Sequence, residues 1–362
     1  FPYRRSSDLN FYQEGGRGYI DGLAKNIGAA IVDPLNLLGG IVGGVVGKTA
    51  GKVVGKTALG QVTKNVAAKK TAKKVNVLPS ETPQDIYTSV SDRVNIEVSK
   101  QAGEGLNEAN RWLQFGINRK IVKRNIMTYV YSLKPYGARQ QIFDEYKSIC
   151  EFNPKKKVLA DDGFADCRYL AKIVWDKMEQ EVDLEAQLMK WFQECSKLFA
   201  KANIKMKWTT PMQFPVEMDY RYDIPFKVKT SIAGSLVYTT YRREINKKDS
   251  RKYSSSISPN IVHSLDASVV QGVALYCKNA DIPLNNLLMV HDSFATTPNR
   301  IDDLNKIIRK VVIDLFSEDY LEILYKDWEA QLPEKYKSRL TPPPERGNLE
   351  ISEIAKSNYF FS

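Results

Sequence analysis

Three constellations of residues in this chain have types and spacings that could do chemistry. The first is Arg119-x3-Lys123-x7-Tyr131. On a helix, positions 119, 123, 127 and 131 form an i+4 row that winds slowly around one side. A forked guanidinium, an ammonium and a phenol then stand in line, as do the phosphates and sugar of a nucleoside triphosphate. Arg119 and Lys123 suit the phosphates and Tyr131 the ribose, although the same row also reads as a solvated basic face. The second is Leu287-Leu-Met-Val-His291-Asp292-Ser293. An apolar run ending in His-Asp is the pattern of a buried strand that delivers a carboxylate to a turn. Phosphoryl and nucleotidyl transfer use such carboxylates to hold Mg2+, while a plain Asp-Ser turn reads the same way. The third is Ser258-Pro-Asn-Ile-Val-His263-Ser264-Leu-Asp266, expected as a turn followed by a polar helix start. Its histidine is either a structural group or a ligand contact. Both histidines of the chain fall in these motifs.

The elements that must position them are partly legible. Leu78-Pro-Ser-Glu-Thr-Pro83 predicts a turn feeding a helix, with Ser80 or Thr82 as its N-cap. Helical periodicity runs through about 101, again from about 104 to 131, and over 165–202, where Leu170, Ile173, Val174 and Met178 recur. Between 205 and 245 the pattern turns to strands. Lys227-Val-Lys-Thr-Ser-Ile232 alternates, Gly234 offers a turn, and Leu236 to Tyr241 is β-prone. Helix–strand alternation returns at 263–316, and a Pro-rich tail with Gly347 leads to Tyr359-Phe-Phe361.

With 362 residues, the chain can hold two or three domains with substantial cores. The net charge of +11 sits mainly in residues 1–74, where nine Lys and three Arg face four acids. Placement, not total charge, must therefore carry any nucleic-acid reading of the remainder. Cys150, Cys167, Cys195 and Cys277 are scattered, and with only two histidines they argue against a disulfide scaffold and a zinc site. No secretory signal is visible, so a cytoplasmic location is expected, and Phe1 is not expected to be a natural start.

Composition changes sharply near residue 75. The preceding segment is rich in Gly, Ala, Val and Lys and repeats Val-Val-Gly-Lys-Thr-Ala at 45–50 and 53–58. Its apolar stretch from Ile27 to Gly47 could span a bilayer by length, but Asp33, Pro34, Asn36 and six glycines argue against a stable spanning helix. Neither Gly-Lys-Thr triplet is a phosphate loop, because Val42 and Ala50 stand where the leading glycine belongs.

Together, the order Arg-x3-Lys-x7-Tyr, Val-His-Ser-x-Asp and Val-His-Asp-Ser resembles the single-subunit RNA polymerases of phages and mitochondria. Val75-Asn-Val-Leu-Pro-Ser-Glu-Thr-Pro-Gln-Asp-Ile-Tyr87 is similar to that family's entry from palm to fingers. Lys123-Arg-Asn-Ile-Met-Thr128 and Gly137-Ala-Arg-Gln-Gln141 resemble its fingers helix and exit, and Gly347-Asn-Leu349 its C-terminal end. The related bacterial repair DNA polymerases place Glu directly after His-Asp, where this chain has Ser293.

The resemblance implies an α+β, right-hand polymerase fold. Residues 1–74 are expected as an irregular or helical segment outside that fold, 75–262 as palm entry and fingers, and 263–362 as C-terminal palm. A promoter-reading hairpin is expected at about 214–246. By the same resemblance, Lys123 contacts the triphosphate and protonates the leaving pyrophosphate, and Arg119 binds phosphate beside it. Tyr131 senses the sugar, His263 lies near the nascent base pair or ribose, and Asp292 binds catalytic Mg2+. The implied partners are promoter and template DNA, the RNA transcript, ribonucleoside triphosphates and a missing N-terminal polymerase portion. Two departures stand out. Ser132 follows Tyr131 where the family usually has Gly, and residues 45–74 contain no Asp or Glu where its first palm carboxylate is expected. The expectation is thus a chain inactive alone, a split polymerase, or a non-catalytic chimera with a virion-type hydrophobic segment.

Overall fold

The computed structural model describes residues 30–31, 72–129, 131–280, 286–291, 293–344 and 349–360. The fold is α+β, mostly helical, with three small antiparallel sheets among the described residues. In chain order the elements are β1 (Ala30–Ile31), α1 (Ile86–Gly103), α2 (Asn107–Phe115), α3 (Arg119–Tyr129), α4 (Pro135–Phe152), α5 (Phe164–Glu181) and α6 (Asp183–Ala202). There follow β2 (Met206–Thr209), β3 (Pro215–Met218), β4 (Arg221–Ile232), β5 (Ser235–Lys248) and α7 (Ser250–Asn279). The remainder is β6 (Leu288–Val290), β7 (Ser293–Ala295), α8 (Ile301–Phe316), α9 (Tyr320–Gln331) and α10 (Glu334–Lys337). The chain divides into two compact units, one of residues 1–89, 263–318 and 346–362, the other of 90–262 and 319–345. Apart from β1 and a few residues before 75, the expectations for the N-terminal segment lie outside the described residues, as do those for Gly347 and Phe361. No helix among the described residues is long and apolar enough to cross a membrane.

Three local expectations are corrected. The cap of α1 is Asp85, whose Oδ1 accepts from Tyr87 N (3.2 Å) and Oδ2 from Thr88 N (3.3 Å). Pro83 disfavours helical geometry at Thr82, so Ser80 Oγ instead closes a turn onto Thr82 O (2.7 Å). The periodic stretch from 104 to 131 is two helices. Gly116 ends α2 with φ 88°, and Asn118 Oδ1 opens α3 by accepting from Lys120 N (3.0 Å). Finally, Ser258-Pro259 is no turn, because α7 runs through it. Proline removes one hydrogen bond there, but Asp249 caps the start and Ile257, Ile261, Val262 and Leu265 are buried on both sides of it.

In the first unit, β7 lies between β1 and β6, with Ala30 opposite Phe294 and Met289 opposite Phe294 on the other side. Helix α7 approaches α8 at Gly272, where an added β-carbon would sit 2.6 Å from Val311 Cγ1. The tail folds back on the segment that precedes α1. Ser357 Oγ donates to Asn76 O (2.6 Å), Tyr359 OH to Glu81 O (3.1 Å), and Arg309 Nη2 to Ser357 O (2.8 Å).

In the second unit, α2, α4 and α5 enclose Trp112, Phe115 and Tyr146, whose rings meet at 5.3 to 6.2 Å. Strands β4 and β5 form a long ribbon closed by Ala233 and Gly234, both with positive φ (51° and 80°), as a two-residue hairpin connection requires. Strand alternation gives the ribbon two faces, each mixing apolar and basic side chains, with Arg243 opposite Ile224 on one and Leu236 and Tyr238 on the side of Lys227 and Lys229 on the other. Ile224, Phe226, Val228, Val237 and Tyr241 share one, with Phe226 and Tyr241 stacked at 5.9 Å, and all are exposed. Lys227, Lys229 and Arg242 share the other. At the base, Asp219 pairs with Lys248 and with Arg221 (2.9 Å), while Tyr253 OH donates to Met218 O (3.0 Å).

Candidate active site

Helix α3 forms because Ile121, Val122, Asn125, Ile126 and Tyr129 recur at helical spacing and bury one face. That leaves Arg119 exposed and Lys123 half-buried on another side, in the row expected from sequence. The row stops at Met127. The helix ends at Tyr129, and Tyr131 and Ser132 lie in the turn that follows, with Tyr131 N donating to Thr128 O (3.1 Å) and Leu133 N to the same oxygen (3.2 Å). Tyr131 is therefore positioned by the turn, not by the helix.

Ser132 shows why glycine suits this place. It adopts φ 64°, the left-handed region that costs a residue with a β-carbon, and its buried Oγ has no hydrogen-bond partner. Ser132→Gly is expected to stabilise the second unit by about 1 kcal/mol, read as a higher urea midpoint at unchanged slope. An unchanged or lower midpoint would show that the turn carries no strain.

The other candidates belong to the first unit. His263 lies on α7, and His291 lies in the two-residue connection that the pairing of Val290 with Ser293 leaves between β6 and β7. His291 has φ 52°, an uncommon conformation for a residue with a β-carbon and a form of strain that gathers at functional sites. Its neighbour Asp292 lies outside the described residues. Asp266, one turn beyond His263 on α7 and the last residue of the third motif, completes an electrostatic group in which the sequence reading gave it no role. Burial pushes the Asp266 carboxyl up, offset by His291 and His263. Burial also pushes the His263 imidazole down, while Asp266 opposes and His291 adds to that shift. The i,i+3 spacing of His263 and Asp266 was the available signal.

Mg2+ takes hard oxygen ligands, several of them at once. Among the described residues no three His, Cys, Asp or Glu side chains come together as a metal site. The described donors therefore do not complete a magnesium site.

Comparison with known proteins gives these positions a context. The model of the DNA-dependent RNA polymerase family matches residues 66–342, which include Arg119, Lys123, Tyr131, His263 and Asp292. DNA-directed RNA polymerase 1, mitochondrial, of Nicotiana sylvestris is 32% identical over 313 residues, covering 84% of this chain and 29% of that protein. DNA-directed RNA polymerase 2, chloroplastic/mitochondrial, of Arabidopsis thaliana is 33% identical over 296 residues, 80% of this chain and 28% of that protein. The DNA-directed RNA polymerase of Enterobacteria phage T3 is 30% identical over 330 residues, 80% of this chain and 37% of that protein. The chain thus spans about a third of the length of these relatives. The expected cytoplasmic location is overturned, since the two plant relatives are named for mitochondria and chloroplasts. Cysteine usage and the lack of a secretory signal could not separate these compartments, because the same chemistry runs in each. This chain belongs to the DNA-dependent RNA polymerase family, of the phage and mitochondrial single-subunit type.

Proposed function

We propose that the chain is the fingers and C-terminal palm portion of a polymerase that adds ribonucleotides to an RNA 3′ end on a DNA template. In this reading Arg119 and Lys123 bind the triphosphate by charge-assisted hydrogen bonds, and the Lys123 ammonium gives its proton to the departing pyrophosphate. Tyr131 faces the sugar, where the 2′-hydroxyl separates RNA from DNA precursors. His263 lies by the nascent base pair or ribose. Asp292 would supply one carboxylate of a two-metal centre completed from outside the described residues, where Mg2+ would neutralise phosphate charge. The ribbon of β4 and β5 has the width of a major-groove reader, and its face with Lys227, Lys229 and Arg242 suits promoter DNA. The reading rests on one observation above the others. The family match from 66 to 342 contains both the cation row of α3 and the His291-Asp292 connection.

A carboxylate-poor stretch from 45 to 74 precedes this portion. A metal centre that lacks a principal charged ligand holds its ion poorly, so the purified chain alone is expected to extend no RNA primer on a DNA template with Mg2+. Robust synthesis that Asp292→Ala abolishes would overturn the inactivity. Synthesis that appears only with a second polypeptide carrying the preceding polymerase portion would identify a split polymerase. The composition break at residue 75 favours the second reading, a non-catalytic chimera, which predicts no synthesis in either assay.

A further inference from the structure

Tyr131, which faces the sugar in the reading above, lies in the connection between α3 and α4, and that connection holds a shape against its own preference. Ser132 sits at φ 64° with its buried Oγ unpartnered. Backbone strain of this kind persists only where the surroundings over-determine the conformation, so groups outside the connection must hold it. Helix α4 supplies two. Gly137 and Gln141 are one turn apart and share a face of that helix. At Gln141, Oε1 accepts from the Thr128 hydroxyl (3.1 Å), a proton shared with Arg124 O (2.8 Å). The same Thr128 offers its backbone oxygen to Tyr131 N (3.1 Å) and Leu133 N (3.2 Å). At Gly137, an added β-carbon would stand 3.0 Å from Leu133 Cδ1, so the absence of a side chain is what lets Leu133 lie against the helix. Gln141 thus fixes the residue from which the connection leaves α3, and Gly137 a residue by which it reaches α4. Tyr131 lies between the two, half-buried.

A phenol that tells a sugar hydroxyl from a hydrogen has to be placed closely, because a hydrogen bond between oxygens tolerates only about half an ångström of play. We propose that Gln141 and Gly137 are positioning residues for Tyr131. By holding the two ends of its connection they set where the phenol stands, and so how strongly the chain prefers a ribonucleoside triphosphate to its deoxy counterpart. The sugar preference rests on the polymerase reading above; the positioning rests on the contacts of α4 alone.

The test reads the two separately. The full chain is labelled with fluorotyrosine, and the Tyr131 signal is assigned as the one lost in Y131F. Fluorine NMR then reports the surroundings of that ring with no nucleotide present. Q141L removes the acceptor at similar size and helix propensity, and it is expected to shift or broaden the Tyr131 signal. Q141E keeps an oxygen for the Thr128 hydroxyl and is expected to restore the wild-type signal. G137A, which forces only the end of Leu133 to give way, is expected to move it less than Q141L does. Q140L is the control, since the Gln140 amide bonds to Asp144 (2.8 Å) and not to α3. A Tyr131 signal in Q141L that matches Q140L overturns the positioning. Calorimetric titration with ATP and with dATP reads the consequence. The preference for ATP is expected to fall about fivefold in Q141L, the worth of one neutral hydrogen bond, and to return in Q141E. A displaced Tyr131 signal with an unchanged preference overturns the link from placement to sugar choice. A wild-type chain that does not distinguish ATP from dATP overturns the sugar reading of Tyr131, while the fluorine signal still decides the positioning.

Discussion

Asp166→Ala is expected to destabilise the second unit by about 3–5 kcal/mol, the usual cost of removing one partner of a buried ion pair. Asp166 is 1% exposed and holds four groups at once. Its Oδ2 accepts from Arg111 Nε (2.7 Å) and from Ala160 N (2.9 Å), its Oδ1 accepts from Arg111 Nη2 (2.7 Å), and its backbone oxygen accepts from Trp112 Nε1 (2.8 Å). Substitution leaves a partly buried guanidinium without its carboxylate and a backbone N–H without an acceptor, and both are then unsatisfied. The side-chain cost has a built-in check. Arg111→Ala/Asp166→Ala should be less destabilised than the sum of the single variants, because the double variant strands no charge. Urea denaturation of the four proteins measures this. Additive losses, or a loss below about 1 kcal/mol for Asp166→Ala, would mean that the pair is not what holds α2 to α5.

Trp328→Ala is expected to cost a similar amount, about 3–5 kcal/mol, for a different reason. The ring is fully buried on α9, 5.4 Å from Trp191 and 6.1 Å from Phe192 of α6, and its Nε1 donates to Lys207 O of β2 (3.1 Å). Truncation opens a cavity between helices and also removes one of two side-chain donors to the strand carbonyl, the other being Gln331 Nε2 (2.9 Å). Trp328→Phe keeps most of the packing and loses the bond, so about 1–2 kcal/mol is expected from it. Hydrogen exchange separates the two contributions. Amides of β2 and β3 should lose protection strongly in the alanine variant and modestly in the phenylalanine variant. Equal protection in both would show that the indole bond, not the volume, carries the effect.

How far the sequence could be read depended on the range of the forces involved. The cation row of α3 was legible because Arg119 and Lys123 are four residues apart and helical periodicity is local. Tyr131 was not legible as a turn residue. The end of the helix depends on Ser132 taking a positive φ, a choice made by the packing of the turn and not by serine's own preference. The ribbon's turn was legible in part, since Gly234 advertises it, but Ala233 with φ 51° does not. Pro259 misled because intrinsic propensity argues for a break, while buried neighbours on each side outweigh one lost hydrogen bond. The support that α4 gives Tyr131 was invisible for a plainer reason. Gln141 and Thr128 lie on different helices, and only the folded unit brings them together. The i+4 spacing of Gly137 and Gln141 was present in the sequence, but without a partner helix it reads as an ordinary helix face. Asp292 was singled out by its motif, yet it lies outside the described residues, and its role stands on family resemblance.

The tail contacts of the first unit set an order of events during synthesis. Ser357 bonds to Asn76 and Tyr359 to Glu81, so segments 281 and 278 residues apart in the sequence meet within that unit. Strand β1 likewise waits for β7. Closing loops of this length costs about 5 kcal/mol in chain entropy, and none of these contacts can form while their later partners are still inside the ribosome. Helices α2 to α5, which pack on one another, can condense as they emerge. The first unit is therefore the last to mature.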